Sequence, residues 1–515
     1  MGRFFLNSSV VRVVSTLLLA QAALAGPVLN NDASLMTVTH MTRTARQDCL
    51  PLWWNRGADL EGGIRFGGDV PASPGFSSGM GAATMGGIEL ASLGFAMSEV
   101  DMALPTNGPA VVIGRSFNHR QGADTSVAAS NGLQGYNWFQ TAMPEVELWT
   151  GGGSNADDVL YLVYGANRFM EFKRTALNAT TFKGINGTTG VVSYAAGNGT
   201  TTYDTYTITD QNGWSWVFWG GNTAGNKADW QLWTKSDPQG LTVYAGDKST
   251  HTTAVSNGYA SGGGISTLYQ EFGDPSSPTE RRYLFTYTTV ASVDRLTQVS
   301  AQIKSGGTWG SPSGLTEIGR VSYAYYSAST TKTGDAHDFF GLGGDLKTVN
   351  ARTALTDSGT GSGTDLSSGI YDDRTKYYRY YGEAYDNSDN RRGHPHALKL
   401  VLGFEGARRY DWGDNSTFDT SYDGAAIATT DLKEYSDAFY EYDSSSSTQR
   451  LATAFFNGEC GCGSGANGTY SFASSANGSY TDNTSAYDTT WCVRTLVTQP
   501  DSTTRCGTLM SSGSR

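Results

Sequence analysis

An aromatic strand running into a Tyr-Asp turn recurs along this chain, and a repeated strand-and-turn unit constrains the fold more than any other feature. The clearest copies are Tyr371-Asp372-Asp373-Arg374, followed by Tyr377-Tyr378-Arg379-Tyr380-Tyr381, and Tyr440-Glu441-Tyr442-Asp443, followed by Arg450-Leu451. Fainter relatives are Arg282-Tyr283-Leu284-Phe285-Thr286-Tyr287, with Asp294-Arg295-Leu296 behind it, and Arg320-Val321-Ser322-Tyr323-Ala324-Tyr325. Such copies add strands to an extended β surface, whereas an enzyme needs a unique constellation. Tyrosines on successive strands are expected to form an aromatic layer, their hydroxyls wet or bonded. Asp at the strand end is expected to accept backbone N–H groups of the turn. Arg-Leu then re-enters the next strand, with Leu inward and Arg at the surface.

Composition supports a β reading. Charged residues are only 16% of the 515, well under the usual quarter, while 65 glycines and 12% aromatics fit many short strands joined by Gly- and Asn-rich turns. The 28 Tyr, 21 Phe and 12 Trp supply enough surface to bury, so wholesale disorder is excluded. A net charge of −12 argues against nucleic acid as a partner, because phosphate binding needs clustered Lys and Arg.

The N-terminus reads as an export signal. Arg3 and Arg12 supply positive charge, Val13 to Leu24 is mostly apolar, and Ala23-Leu24-Ala25 is an A-x-A cleavage site before Gly26. The apolar run is short for a membrane span, and no later run reaches its length. The expected organisation is a signal peptide over 1–25, a flexible leader over 26–47, an N-terminal β domain over 48–235 and a repeat-rich β region over 236–515, with the junction near 234–245. A secreted or cell-surface location follows, without an integral span after cleavage.

Five cysteines are too few to staple a chain of this size, and four (Cys460, Cys462, Cys492, Cys506) fall near its end. A Cys₄ zinc site is disfavoured by the long gap in the second pair, so these four are disulfide candidates, and no metal is assigned.

Strand patterning begins with Leu93, Phe95 and Met97, then Val100, Met102 and Leu104, read as two strands or one bulged strand. Further strands are expected at Ala110–Asn118, Glu145–Leu148, Val159–Tyr164, Leu284–Tyr287, Val299–Ile303, Val321–Tyr325 and Val493–Val497. Another is expected at Leu398–Phe404, where alternation predicts one buried face. Asn212-Gly213 and Asp237-Pro238-Gln239-Gly240 are turn signals.

These units resemble the RHS/YD-repeat family of rearrangement-hot-spot proteins. Val100-Asp101 through Leu104-Pro105 to Gly114-Arg115-Ser116-Phe117-Asn118-His119-Arg120 is similar to the family's N-terminal block. Gly132-Leu133-Gln134-Gly135-Tyr136-Asn137-Trp138 is similar to the segment after it. Asp210–Gly220 and Trp233–Thr242 resemble the segments before the repeats, and Phe455–Gly465 a Cys-Gly-Cys block of large exported bacterial members. The family turn reads Tyr-Asp-x-x-Gly-Arg-Leu, whereas here a four-Ser run stands between Asp443 and Arg450. The resemblance implies an exported all-β protein, with many short antiparallel strands and a spiral or shell sheet, and it implies no catalytic residue.

Chemical motifs are sparse. Gly75-Phe76-Ser77-Ser78-Gly79 matches a nucleophile elbow but lacks the flanking strand and helix. His394-Pro395-His396 lacks a third metal ligand, so a turn is the better reading. Asp386-Asn387-Ser388-Asp389-Asn390 lacks the Gly and Glu of a Ca²⁺ loop. Trp214, Trp216 and Trp219 are a candidate sugar-stacking platform, although strand aromatics are more often core. Glu145, Glu147 and Glu383 are the carboxylates that a glycosidase reading would use. The expected function is thus a non-enzymatic exported repeat protein, without cofactor, acting through its surface on a cell-surface glycan or protein. The alternatives are the N-terminal part of an RHS-type toxin-delivery shell and a secreted glycan-binding or glycan-hydrolysing protein.

Overall fold

The computed structural model describes the chain between Thr84 and Met510, apart from short breaks and the segments 119–132, 222–228, 247–257, 306–315, 415–426, 457–467 and 477–490. The signal peptide, leader, nucleophile-like motif and Cys49 lie outside the described residues, as do Cys460 and Cys462.

The fold is all-β, as the alternation and turn residues predict: 61% of the described residues are strand, arranged as one large antiparallel sheet and a small N-terminal one. In the large sheet every strand pairs with the next along the chain, from Glu145–Trp149 to Thr504–Met510. Among the described residues after Glu145, only the Thr330–Lys332/Asp335–Gly341 hairpin and a ribbon at 356–362 stand aside. The first eight strands, ending at Leu232–Ser236, close into a ring: Glu145 bridges Gln231, and the Val146 N–H donates to the Trp230 carbonyl at 2.9 Å. The same edge of Leu232–Ser236 also pairs with Thr242–Ala245, so the sheet runs on past the closure as the start of a spiral. The junction expected near 234–245 falls on this hairpin, inside a continuous sheet.

Turn chemistry explains the hairpins. Asp237 Oδ1 accepts the N–H groups of Gln239 and Leu241, both at 2.9 Å, and Gly240 takes φ +86°. Asp210 does the same for Asn212 and Trp214 at 2.8 Å, with Gly213 at φ +85° packed against Pro238. Two Asp-x-x-Gly turns therefore sit side by side, each Asp capping the N–H groups that the reversal would strand.

The expected strand at 93–104 is one bulged strand, Gly94–Ala103, with its register shift between Val100 and Met102. It belongs to the small sheet, with Val112–Asn118 and Trp138–Gln140, and packs into the same core as the large sheet's inner face. Leu284–Tyr287 and Val299–Ile303 are the middles of a long hairpin, Ser277–Val290 and Val293–Ser305. Ala291 and Ser292 both take positive φ at its tip, the geometry of a type I′ turn.

Two expectations are corrected. Tyr371-Asp372-Asp373-Arg374 is not a turn; it begins the strand Tyr371–Tyr380, paired along its length with Leu346–Ala354. Asp373 is taken up by that neighbour, accepting from Arg352 Nε at 3.0 Å. The strand expected at Leu398–Phe404 ends at Leu402, and Phe404 opens a helix, Phe404–Asp414. All five strand residues are buried, not one face. Leu398 and Val401 join the main core, whereas Leu400 and Leu402 join a second one with Tyr377, Leu432, Phe439 and Phe455.

Candidate functional site

The tyrosines of the repeat units act as cross-strand staples. Tyr442 donates to the Leu398 carbonyl at 2.8 Å, Tyr381 to Tyr440 at 2.8 Å, Tyr326 to Tyr378 at 3.0 Å and Tyr325 to Leu296 at 2.6 Å. Leu398 lies just outside the Leu400↔Phe439 and Val401↔Ala438 pairs, so Tyr442 supplies a donor to a carbonyl outside that ladder. Tyr381 and Tyr442 also meet edge to face at 6.0 Å. The Asp of this unit behaves as expected in accepting a backbone N–H: Asp443 Oδ1 takes that of Arg450 at 3.1 Å.

The arginines depart from expectation. Leu296 faces inward as predicted, but Arg295 beside it is 2% exposed and Arg379 is fully buried. Arg379 donates to Thr429 Oγ1 at 3.0 Å and the Ile427 carbonyl at 3.1 Å, with its guanidinium 3.7 Å from the Phe340 ring centroid. The hairpin 330–341 and the short helix Thr429–Leu432 cover the strand's second face, so both sides of Arg379 are inside. Period-2 reasoning assigns a strand Arg to solvent because it sees one strand, not the segment that later covers it.

A buried polar and aromatic constellation joins the two sheets. Arg115 holds Asp101 through Nε at 3.0 and 3.2 Å and Nη2 at 2.9 Å, side chains 0% and 4% exposed. Its guanidinium lies 4.8 Å from the ring centroid of Trp138 and 4.9 Å from that of Tyr378. From the large sheet, Tyr323 donates to Asp101 Oδ2 at 3.1 Å, and Tyr380 accepts from Trp138 Nε1 at 2.8 Å. Burial lifts the Asp101 carboxyl above its ordinary value against the pull of Arg115. On Arg115 burial acts downward, but Asp101 beside it holds the guanidinium well above its ordinary value. These groups lock the small sheet to the large one; their signal in the sequence was the Gly114–Asn118 block, singled out as family-like and not as a partner of Asp101.

The residues singled out for chemistry do not gather. Trp214 and Trp216 stack at 6.4 Å with Lys235 Nζ over both rings, at 5.7 and 6.0 Å. Burial lowers that ammonium to about 8. Trp219 belongs elsewhere, stacked on Trp233 at 4.2 Å and donating to Tyr259 at 3.0 Å. His394 meets the Asp443 carbonyl at 3.0 Å, whereas His396 meets Asp345 at 2.8 Å and stacks on Tyr136 at 3.7 Å, so the pair diverges. Glu145 accepts from Gln231 at 3.3 Å, while Glu383 meets His337 at 2.9 Å. Cys506 lies opposite Leu496, four residues along the ladder from Cys492. That spacing is about 13 Å, beyond the roughly 7 Å that a disulfide spans between Cα atoms.

No family model and no curated protein matches the chain. Among solved structures it is similar to the crystal structure of TcdB2-TccC3, with a TM-score of 0.33 and 11% identity over 57% of this chain and 16% of that one. It is also similar to the N-terminal domain of the effector protein SpvB from Salmonella typhimurium strain LT2, with a TM-score of 0.25 and 10% identity over 59% of this chain and 98% of that one. The chain thus spans less than a fifth of the first structure's length. The similarity is one of structure alone, at 11% and 10% identity. At these TM-scores it carries no argument about what this chain does.

Proposed function

We propose that this chain is a wall section of an exported RHS-type shell, a scaffold that encloses a polypeptide. One observation carries the reading: a single antiparallel sheet pairs strand after strand from Glu145 to Met510, closes its first ring and continues past it. Tyrosine staples and the Arg115–Asp101 pair fix the inner face without setting aside a reactive group. A wall of this kind uses repetition, because each added hairpin extends it at no cost in new topology. The polypeptide contained is a partner of the wall, and export by the N-terminal signal places the assembly outside the cell.

Limited proteolysis of the protein isolated from its native source tests this. A polypeptide other than residues 84–510 is expected to survive protease while the wall is folded and to be digested once it is unfolded. Survival of wall fragments alone contradicts the reading.

A further inference from the structure

The ring of eight strands that opens the sheet holds a cavity of about 460 Å³ that the wall reading leaves unused, a volume typical of small-ligand sites. Tyr194, Tyr206 and Trp230 form one side of it, with Tyr194 and Tyr206 centroids 5.1 Å apart and Tyr206 and Trp230 6.0 Å apart at 31°. Asp204, Asn155, Asn178, Thr180 and Arg174 supply the polar lining.

Trp230 is placed there under strain. Its φ is +66°, a region costly for a bulky side chain. Ring closure holds it, because its carbonyl accepts the Val146 N–H at 2.9 Å. Its indole lies directly on Gly221, where a Cβ would have no room.

The polar groups select the ligand. The Arg174 guanidinium is engaged by Asp158 at 2.9 and 3.2 Å, both side chains nearly buried, so an anion meets no free cation. Asp204 accepts from Tyr194 Oη at 2.9 Å and from the Gly197 N–H at 2.7 Å, one bond on each oxygen. A carboxylate has room for more. Tyr206 is 4% exposed, yet its hydroxyl bonds no described residue.

We propose that this cavity binds a neutral saccharide unit, its C–H face on Tyr206 and Trp230 and its hydroxyls paired with Asp204 and Tyr206. A quaternary ammonium would also suit aromatic rings beside a carboxylate. The Asp204 charge is already shared by the Tyr194 hydroxyl and the Gly197 N–H, which disfavours it.

A glycan microarray probed with the full chain, followed by titration of the free sugar, tests the site. Retention of at least one neutral glycan is expected. Tyr206→Phe and Asp204→Asn should each weaken it by at least about fivefold, the loss of one hydrogen bond, while Trp214→Ala, outside the cavity, leaves it unchanged. Tyr206→Phe removes a single oxygen and keeps the ring, so it decides the matter even where Asp204→Asn does not fold. No retained glycan, displacement of the glycan by choline, or full binding by Tyr206→Phe would each overturn the proposal.

Discussion

Arg115 and Asp101 face each other across neighbouring strands of the small sheet, joined by a bidentate ion pair that is almost wholly buried. Tyr323 from the large sheet completes the carboxylate's shell at 3.1 Å. A paired charge in this position is tolerated, whereas a single one is not.

Arg115→Met should therefore destabilise the fold by roughly 3–5 kcal/mol, because it leaves Asp101 buried without its partner. The double variant Arg115→Met/Asp101→Leu should recover much of that loss. Urea unfolding of the singles and the double measures both; an additive double variant would show that the pair is not coupled.

The staples are individually smaller. Tyr442→Phe and Tyr381→Phe should each cost roughly 1–3 kcal/mol, the penalty of stranding a buried carbonyl. Hydrogen exchange should speed up in Leu398–Leu402 for the first and in Ala438–Tyr442 for the second. Unchanged exchange in both would remove the staple role.

Turn capping makes a separate prediction. Asp237→Ala, which strands the N–H groups of Gln239 and Leu241, should lower stability by about 1–3 kcal/mol. Asp237→Asn, whose amide oxygen can still accept both, should cost less than half as much. Thermal unfolding of the two variants checks the order.

The repeat units were legible in the sequence as strands because alternating Tyr, Phe and Leu need only local geometry to be read. The Asp237 turn was legible for the same reason, being set by a few adjacent residues, whereas the bulge of the 94–103 strand falls between Val100 and Met102 and not between Met97 and Val100, where the alternation breaks. Arg295 and Arg379 were not, since their burial depends on segments far away in the chain. Tyr371-Asp372 looked like a turn because it copies the composition of Tyr442-Asp443. The structure gives Asp373 a partner in Arg352 on the neighbouring strand, and that pairing continues the strand. The cavity around Tyr206 was invisible as well, since it exists only once Trp230 closes the ring.

Alkali should unfold this protein through its tyrosines. Burial raises the phenols of Tyr323, Tyr378, Tyr380, Tyr440 and Tyr442 above their ordinary value. Their contribution is complete below about pH 10, where unfolded tyrosine ionises, and is lost as pH rises further. Lys235 acts in the opposite sense. Its folded value of about 8 lies below the ordinary one, so stability gains a little between there and about pH 10.4. Unfolding free energy against pH should rise slightly above pH 8 and fall steeply beyond pH 10, with phenolate absorbance appearing together with unfolding. Lys235→Met should remove the rise and keep the fall.

Electron cryomicroscopy of the protein purified from its native source tests the wall reading most directly. The predicted map shows the sheet closing at Glu145 and Gln231, continuing past Leu232–Ser236 as a spiral, and surrounding density that belongs to another polypeptide. A map in which the sheet ends as an open layer, or surrounds nothing beyond its own 84–140 segment, would contradict it.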